Sequence, residues 1–123
     1  MSPIDPALRE VPADMLAEYG MQPGGAPAWR CDDAEVELVP VTALRVPATR
    51  GLDAERLRRL LSGIAAGNPL PAVPVFREPD AVVVLDGTHR VAVARAAAFT
   101  HVPCLALDLD EARDGYRYPE GQG

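Results

Sequence analysis

The residues best suited to chemistry are Asp86-Gly87-Thr88-His89-Arg90, which follow the β-branched run 81–85 and lead into the alanine-rich stretch 91–97. A buried strand, a tight turn and then a helix leave several unpaired backbone N–H groups and the positive end of the helix dipole at the carboxyl edge of a sheet. That is an arrangement for holding an anion. Gly87 lets the backbone approach an oxygen closely or take a positive φ, and Thr88 offers a hydroxyl to a phosphate or to a metal-bound water. Arg90 can fork two oxygens. His89, beside a helix N-terminus, has its charged form disfavoured, so a neutral imidazole could donate to a phosphate or exchange a proton. Asp86 could orient His89 or hold a Mg²⁺ ion. The same five residues also admit a plainer reading as a strand-to-helix turn, with Thr88 as cap and Arg90 on the surface.

Other chemistry-bearing side chains give less. Cys31 and Cys104 are far apart in sequence and do not read as a disulfide. Cys104 lies in an apolar run and reads as a small buried hydrophobe. Cys31 is followed by Asp32 and Asp33, which oppose a thiolate, and no metal-ligand spacing is present. His101 follows the alanine-rich helix and reads as a helix-ending residue. Trp29, Tyr116 and Tyr118 could cover a base, although an isolated aromatic more often anchors a loop.

The elements that must position the turn can be traced along the chain. Residues 1–34 read as an appendage, rich in Pro and Gly, with a short amphipathic helix at 14–19 (Met15, Leu16 and Tyr19 on one side) and a loop pinned by Trp29. The domain proper spans 35–107. It opens with a strand in which Val36 and Leu38 alternate with charged residues, interrupted at Pro40 and continued by Val41, Leu44 and Val46. A helix over 53–66 follows, with Leu57, Leu60, Leu61 and Ile64 in one stripe, Asp53 as cap, Leu52 and Leu57 as a hydrophobic staple, and Gly67 as stop. Arg56, Arg58 and Arg59 fall on its solvated face. Residues 73–76 and 81–85 read as a hairpin, with Val82, Val83 and Val84 buried on both faces, and 102–107 as the last strand. Residues 108–123 read as an acidic, loosely ordered tail. The fold class is α/β (α+β), a small mixed sheet with packed helices.

Composition narrows the function further. With 48% apolar and 24% charged residues in 123, the chain has the make-up of a globular domain with one core. Neither a membrane-spanning run nor a signal peptide is visible, so a cytoplasmic protein is expected. The net charge of −6 opposes attraction to a phosphate backbone and makes nucleic acid an unfavoured partner despite Arg50, Arg56, Arg58, Arg59, Arg90 and Arg95.

The order of elements, and above all Val84-Leu85-Asp86-Gly87-Thr88-His89-Arg90-Val91-Ala92-Val93-Ala94, resembles the ParB N-terminal domain and sulfiredoxin superfamily, over about residues 39–107. The resemblance implies a phosphate cradle at this turn. Gly87, Thr88, His89 and Arg90 would contact nucleotide phosphates, with Thr49-Arg50 and the start of the Asp53 helix facing them. Sulfiredoxins carry a reactive cysteine where this chain has Thr88, which argues against their reaction. Partition proteins have Gly-Glu-Arg-Arg at the turn and a helix-turn-helix domain afterwards, which argues against DNA clamping. Free-serine kinases, with Asp-Gly-His-His-Arg, are closest at the turn, yet their upstream glutamate has no counterpart in Val46-Pro47-Ala48-Thr49-Arg50. Two expectations follow. One is an ATP- or ADP-dependent phosphotransferase acting on a small hydroxylated metabolite such as an amino acid, with Asp86 and His89 catalytic and Asp86 on Mg²⁺. The other is a non-catalytic, nucleotide-responsive module that regulates a protein partner, with CTP also admissible as ligand.

Overall fold

Hydrophobic periodicity sets the framework of the fold, and chain closure bends it. The structure is a computed structural model that describes residues 8–21, 27–47 and 51–108. In chain order it contains α1 (Ala13–Glu18), β1 (Glu37–Pro40), a 3₁₀ turn (Val41–Ala43), β2 (Leu44–Arg45), α2 (Ala54–Ala65), β3 (Val73–Arg77), β4 (Val82–Val84), α3 (Thr88–Ala96) and β5 (His101–Leu107). The five strands form one mixed sheet in the order β1-β5-β3-β4-β2. β1 runs antiparallel to β5 and β3 antiparallel to β4, whereas β3 with β5 and β2 with β4 are parallel.

β1 and β2 are consecutive in sequence yet occupy the two edges of this order. In a flat five-stranded sheet the edges would be about 19 Å apart. The link Val41–Ala43 is a single 3₁₀ turn, and even fully extended the path from Pro40 to Leu44 could reach only about 14 Å. The sheet is therefore curled, with its edges drawn toward each other.

α2 forms where the apolar stripe predicts it. Asp53 caps it by accepting the N–H of Glu55 on Oδ1 at 2.9 Å, and Leu57 and Leu61 are fully buried. Leu52, just before the cap, is buried with Leu57, as expected of a staple. The end of the helix is closed by Gly67 at φ 78°, with the Asn68 N–H bonded to the Gly63 carbonyl. α3 packs against α2, and Val91, Val93 and Ala94 reach zero exposure. None of the described helices is long and apolar enough to cross a membrane.

The segment read as an appendage contributes to the same core. Val11, Met15, Leu16 and Trp29 are buried, and Trp29 meets Phe99 edge to face at 6.0 Å between ring centres. Hydrogen bonds between Leu70 N–H and the Arg30 carbonyl, His101 N–H and the Pro27 carbonyl, and Ala72 N–H and the Asp33 carboxylate stitch residues 27–33 to the sheet.

Three local expectations are corrected. In β1 it is Val39 that faces the core, while Leu38 is 54% exposed, because the pairing of Val39 with Val102 turns that residue inward. Val82 and Val84 are buried but Val83 is only half-buried, as period-two alternation on a strand covered mainly from one side requires. His101 does not end a helix: α3 stops at Ala97, Ala98 takes a left-handed φ of 58°, and His101 opens β5 opposite Pro40. Tyr116, Tyr118 and the tail from residue 109 lie outside the described residues.

Candidate phosphate-binding site

The turn takes the predicted form of strand, Asp-Gly and helix. The Leu85 N–H bonds to the Pro74 carbonyl at 2.9 Å and so closes the hairpin beneath the turn. Gly87 is the N-cap of α3 at φ 101° and ψ 28°, and no side chain caps the helix there. Its carbonyl accepts the Val91 N–H at 3.0 Å, which makes Thr88 the first helical residue. Thr88 is half-buried and lines a cleft of about 540 Å³. Thr88, Ala92, Arg95 and Ala96 of α3 line it together with Leu8, Arg9, Glu10, Val46, Pro47 and Leu52.

Arg90 is placed differently from either expectation. It is 2% exposed, so it is neither a surface residue nor a side chain displayed to the cleft. Its Nη1 donates to the carbonyls of Pro71 at 2.7 Å and Ala72 at 3.1 Å, where it holds the approach to β3. The guanidinium lies directly against Gly87. A Cβ at that position would stand 2.9 Å from Nη2 and 3.1 Å from Nε.

Asp86 faces the same guanidinium. Its Oδ2 is buried without a hydrogen bond, 3.8 Å from Arg90 Nη2, and its side chain is 9% exposed. Burial raises its pKa above the ordinary carboxylate value, against the lowering influence of Arg90, the Gly87 N–H and Arg56. These neighbours are donors and cations. The surroundings of Asp86 do not fit a divalent ion, and among the described residues no group of three His, Cys, Asp or Glu could hold one.

His89 is also turned inward, at 7% exposure. Its Nε2 accepts the backbone N–H of Asp53 at 2.9 Å, tying the start of α3 to the cap of α2. An accepting Nε2 requires the neutral ring with its proton on Nδ1. Burial lowers the pKa, Arg56 lowers it further and Asp53 opposes them.

Of the residues singled out from sequence, Asp86, Gly87 and Arg90 thus come together at the start of α3, His89 turns to the cap of α2, and Thr88 lines the cleft. Thr49 and Arg50 lie outside the described residues, between the cleft-lining Pro47 and Leu52 in sequence. Arg9 and Glu10 were not foreseen as cleft residues, because nothing in the composition of an apparent appendage marks them. Arg95 appeared only as part of an arginine tally, yet it lines the cleft and donates to the Leu44 carbonyl at 3.2 Å.

No protein-family model matches the sequence, and no curated protein matches it. Solved structures do. The chain superposes on sulfiredoxin from Arabidopsis thaliana with a TM-score of 0.56 at 17% identity, over 69% of this chain and 100% of that one. It superposes on the C-terminally truncated chromosome-partitioning protein ParB from Caulobacter crescentus, complexed with CTP-gamma-S, with a TM-score of 0.51 at 21% identity, over 70% of this chain and 56% of that one. The chain therefore has the ParB/sulfiredoxin-like fold.

Proposed function

We propose that the protein binds a nucleotide, with the phosphates at the first turn of α3 and the nucleoside in the adjoining cleft. The observation that carries this reading is the placement of the cleft: it is lined by Thr88, at the positive end of α3, and by the small side chains Ala92 and Ala96 farther along the same helix. Its volume of about 540 Å³ suits a small ligand. Backbone N–H groups, the Thr88 hydroxyl and the charges of Arg9 and Arg95 supply anion recognition. The ParB neighbour's complex with a CTP analogue supports the choice of ligand class. ATP, ADP and CTP are the candidates. Mg²⁺ would enter on the phosphates themselves rather than through Asp86. Thr49 and Arg50, which fall between Pro47 and Leu52 in sequence, are proposed as further contacts to the nucleotide.

Between phosphoryl transfer and binding alone, the arrangement of His89 and Asp86 favours binding. Nε2 of His89 is engaged by Asp53, and Asp86 is directed at Arg90, so neither group is presented to an acceptor hydroxyl. Gly87, His89 and Arg90 then act by shaping the turn that holds phosphate. Residues 8–10 line the cleft, so nucleotide occupancy would be communicated to the amino-terminal segment and from it to a protein partner.

Calorimetric titration with ATP, ADP and CTP in Mg²⁺ tests the reading. Saturable binding is expected, weakened about tenfold in Thr88→Val, which removes the hydroxyl. Absence of binding to all three would overturn it. Release of ADP from ATP in the presence of serine or another hydroxylated amino acid would restore the phosphotransferase reading, with Asp86 and His89 as its catalytic pair.

A further inference from the structure

We infer that Glu10 selects the nucleoside half of the ligand over bare polyphosphate, an assignment that rests on the nucleotide reading above. Among the described residues Glu10 is the one carboxylate lining the cleft, and it is exposed. The rest of the lining is apolar, hydroxylic or cationic, and Thr88 places the helix-dipole end at one side. A phosphate seats against a carboxylate only through a bridging cation, and among the described residues no group of three His, Cys, Asp or Glu could hold one; without it the like charges repel even near a solvated surface. Glu10 therefore faces a part of the ligand that carries neutral hydrogen-bond donors. In a nucleotide these are the ribose hydroxyls and the exocyclic amine of adenine or cytosine, and an ionised carboxylate accepts from either.

The position of Glu10 is fixed by the chain around it. The Leu8 carbonyl accepts the Leu52 N–H at 2.8 Å, immediately before the α2 cap that His89 contacts, and Val11 is buried in the core. Glu10 is thus held between two anchored residues lining the cleft rather than on a free terminus. From Thr88 to Ala96 the lining runs eight residues along α3, or about 12 Å, which is enough length to separate a phosphate end from a nucleoside end.

The test compares ATP with inorganic triphosphate, each as its Mg²⁺ complex, on the wild-type protein and on Glu10→Ala. The substitution is expected to weaken ATP about tenfold, as loss of a hydrogen bond to a charged group does, while triphosphate binds equally or more tightly. Repeating the ATP arm with 2′,3′-dideoxy-ATP, and with a triphosphate whose base lacks the amine, identifies which donor Glu10 reads: the analogue lacking it loses its sensitivity to Glu10→Ala. Equal weakening of ATP and triphosphate, or no change in either, overturns the role of Glu10 while leaving the nucleotide site standing. Failure of the wild-type protein to bind ATP overturns both. Because Glu10 is exposed, an unchanged thermal midpoint is expected and distinguishes lost recognition from lost folding.

Discussion

His89 Nε2 accepts the backbone N–H of Asp53 at 2.9 Å, so the helix that starts at the candidate phosphate turn and the helix that starts opposite it are joined by one neutral imidazole. The bond exists only while the ring is unprotonated. It gives the turn a dependence on pH that can be worked out in sign.

Because the folded-state pKa of His89 lies below its ordinary value of 6.5, the unfolded chain binds the proton more readily. The stabilisation is present in full above pH 6.5 and is lost as pH falls from there toward the lowered folded value. Urea midpoints measured between pH 8 and pH 5 should fall on the acid side for the wild type. His89→Gln, which keeps an acceptor but cannot titrate, should lack that component. His89→Ala should be less stable at neutral pH by about 1 kcal/mol, since it leaves the partly buried Asp53 N–H without its partner.

Gly87→Ala is expected to destabilise the protein by about 2 kcal/mol or more. The backbone at φ 101° disfavours any side chain, and the new Cβ meets a guanidinium that cannot swing aside while Pro71 and Ala72 hold it. Chemical denaturation measures this directly. A neutral outcome would mean that Arg90 is not fixed beneath the turn.

Thr88→Glu separates helix stability from ligand binding. An acid in the first turn of α3 favours the dipole and should leave stability unchanged or raise it by about 0.5 kcal/mol. The same charge faces the site proposed for phosphate, so nucleotide binding should disappear in calorimetry. If binding survives, the phosphates are elsewhere.

The facing of β1 is testable with neighbouring residues. Val39→Ala, at 3% exposure, should cost about 1–2 kcal/mol, whereas Leu38→Lys, at 54% exposure, should change stability by less than about 0.5 kcal/mol. The reverse order would place the other face of β1 on the core.

What could be read from the sequence was what local chemistry decides. The Leu57-Leu61 stripe, the Asp53 cap and the Asp86-Gly87 turn each carry their own signal, and α2 and α3 lie within a residue or two of where those signals put them. The destination of Arg90 is decided by two carbonyls eighteen and nineteen residues away, and nothing in its own neighbourhood points to them. In the short strand β1 the alternation of Val36 and Leu38 pointed to the wrong face, because pairing with β5, which comes late in the chain, turns Val39 inward. Arg9 and Glu10 reach the cleft because Leu8 bonds to Leu52, a tertiary event with no motif.

The strand order has a kinetic consequence. β5 lies between β1 and β3, so among the described residues β1 has no pairing partner until residues 101–107 are in place, and Leu38 must find Pro103 across most of the domain. Contacts so distant in sequence slow the search for the native state. A ribosome delivering this chain would release the hairpin and α2 early, yet hold β1 waiting as a bare edge until residues 101–107 had emerged.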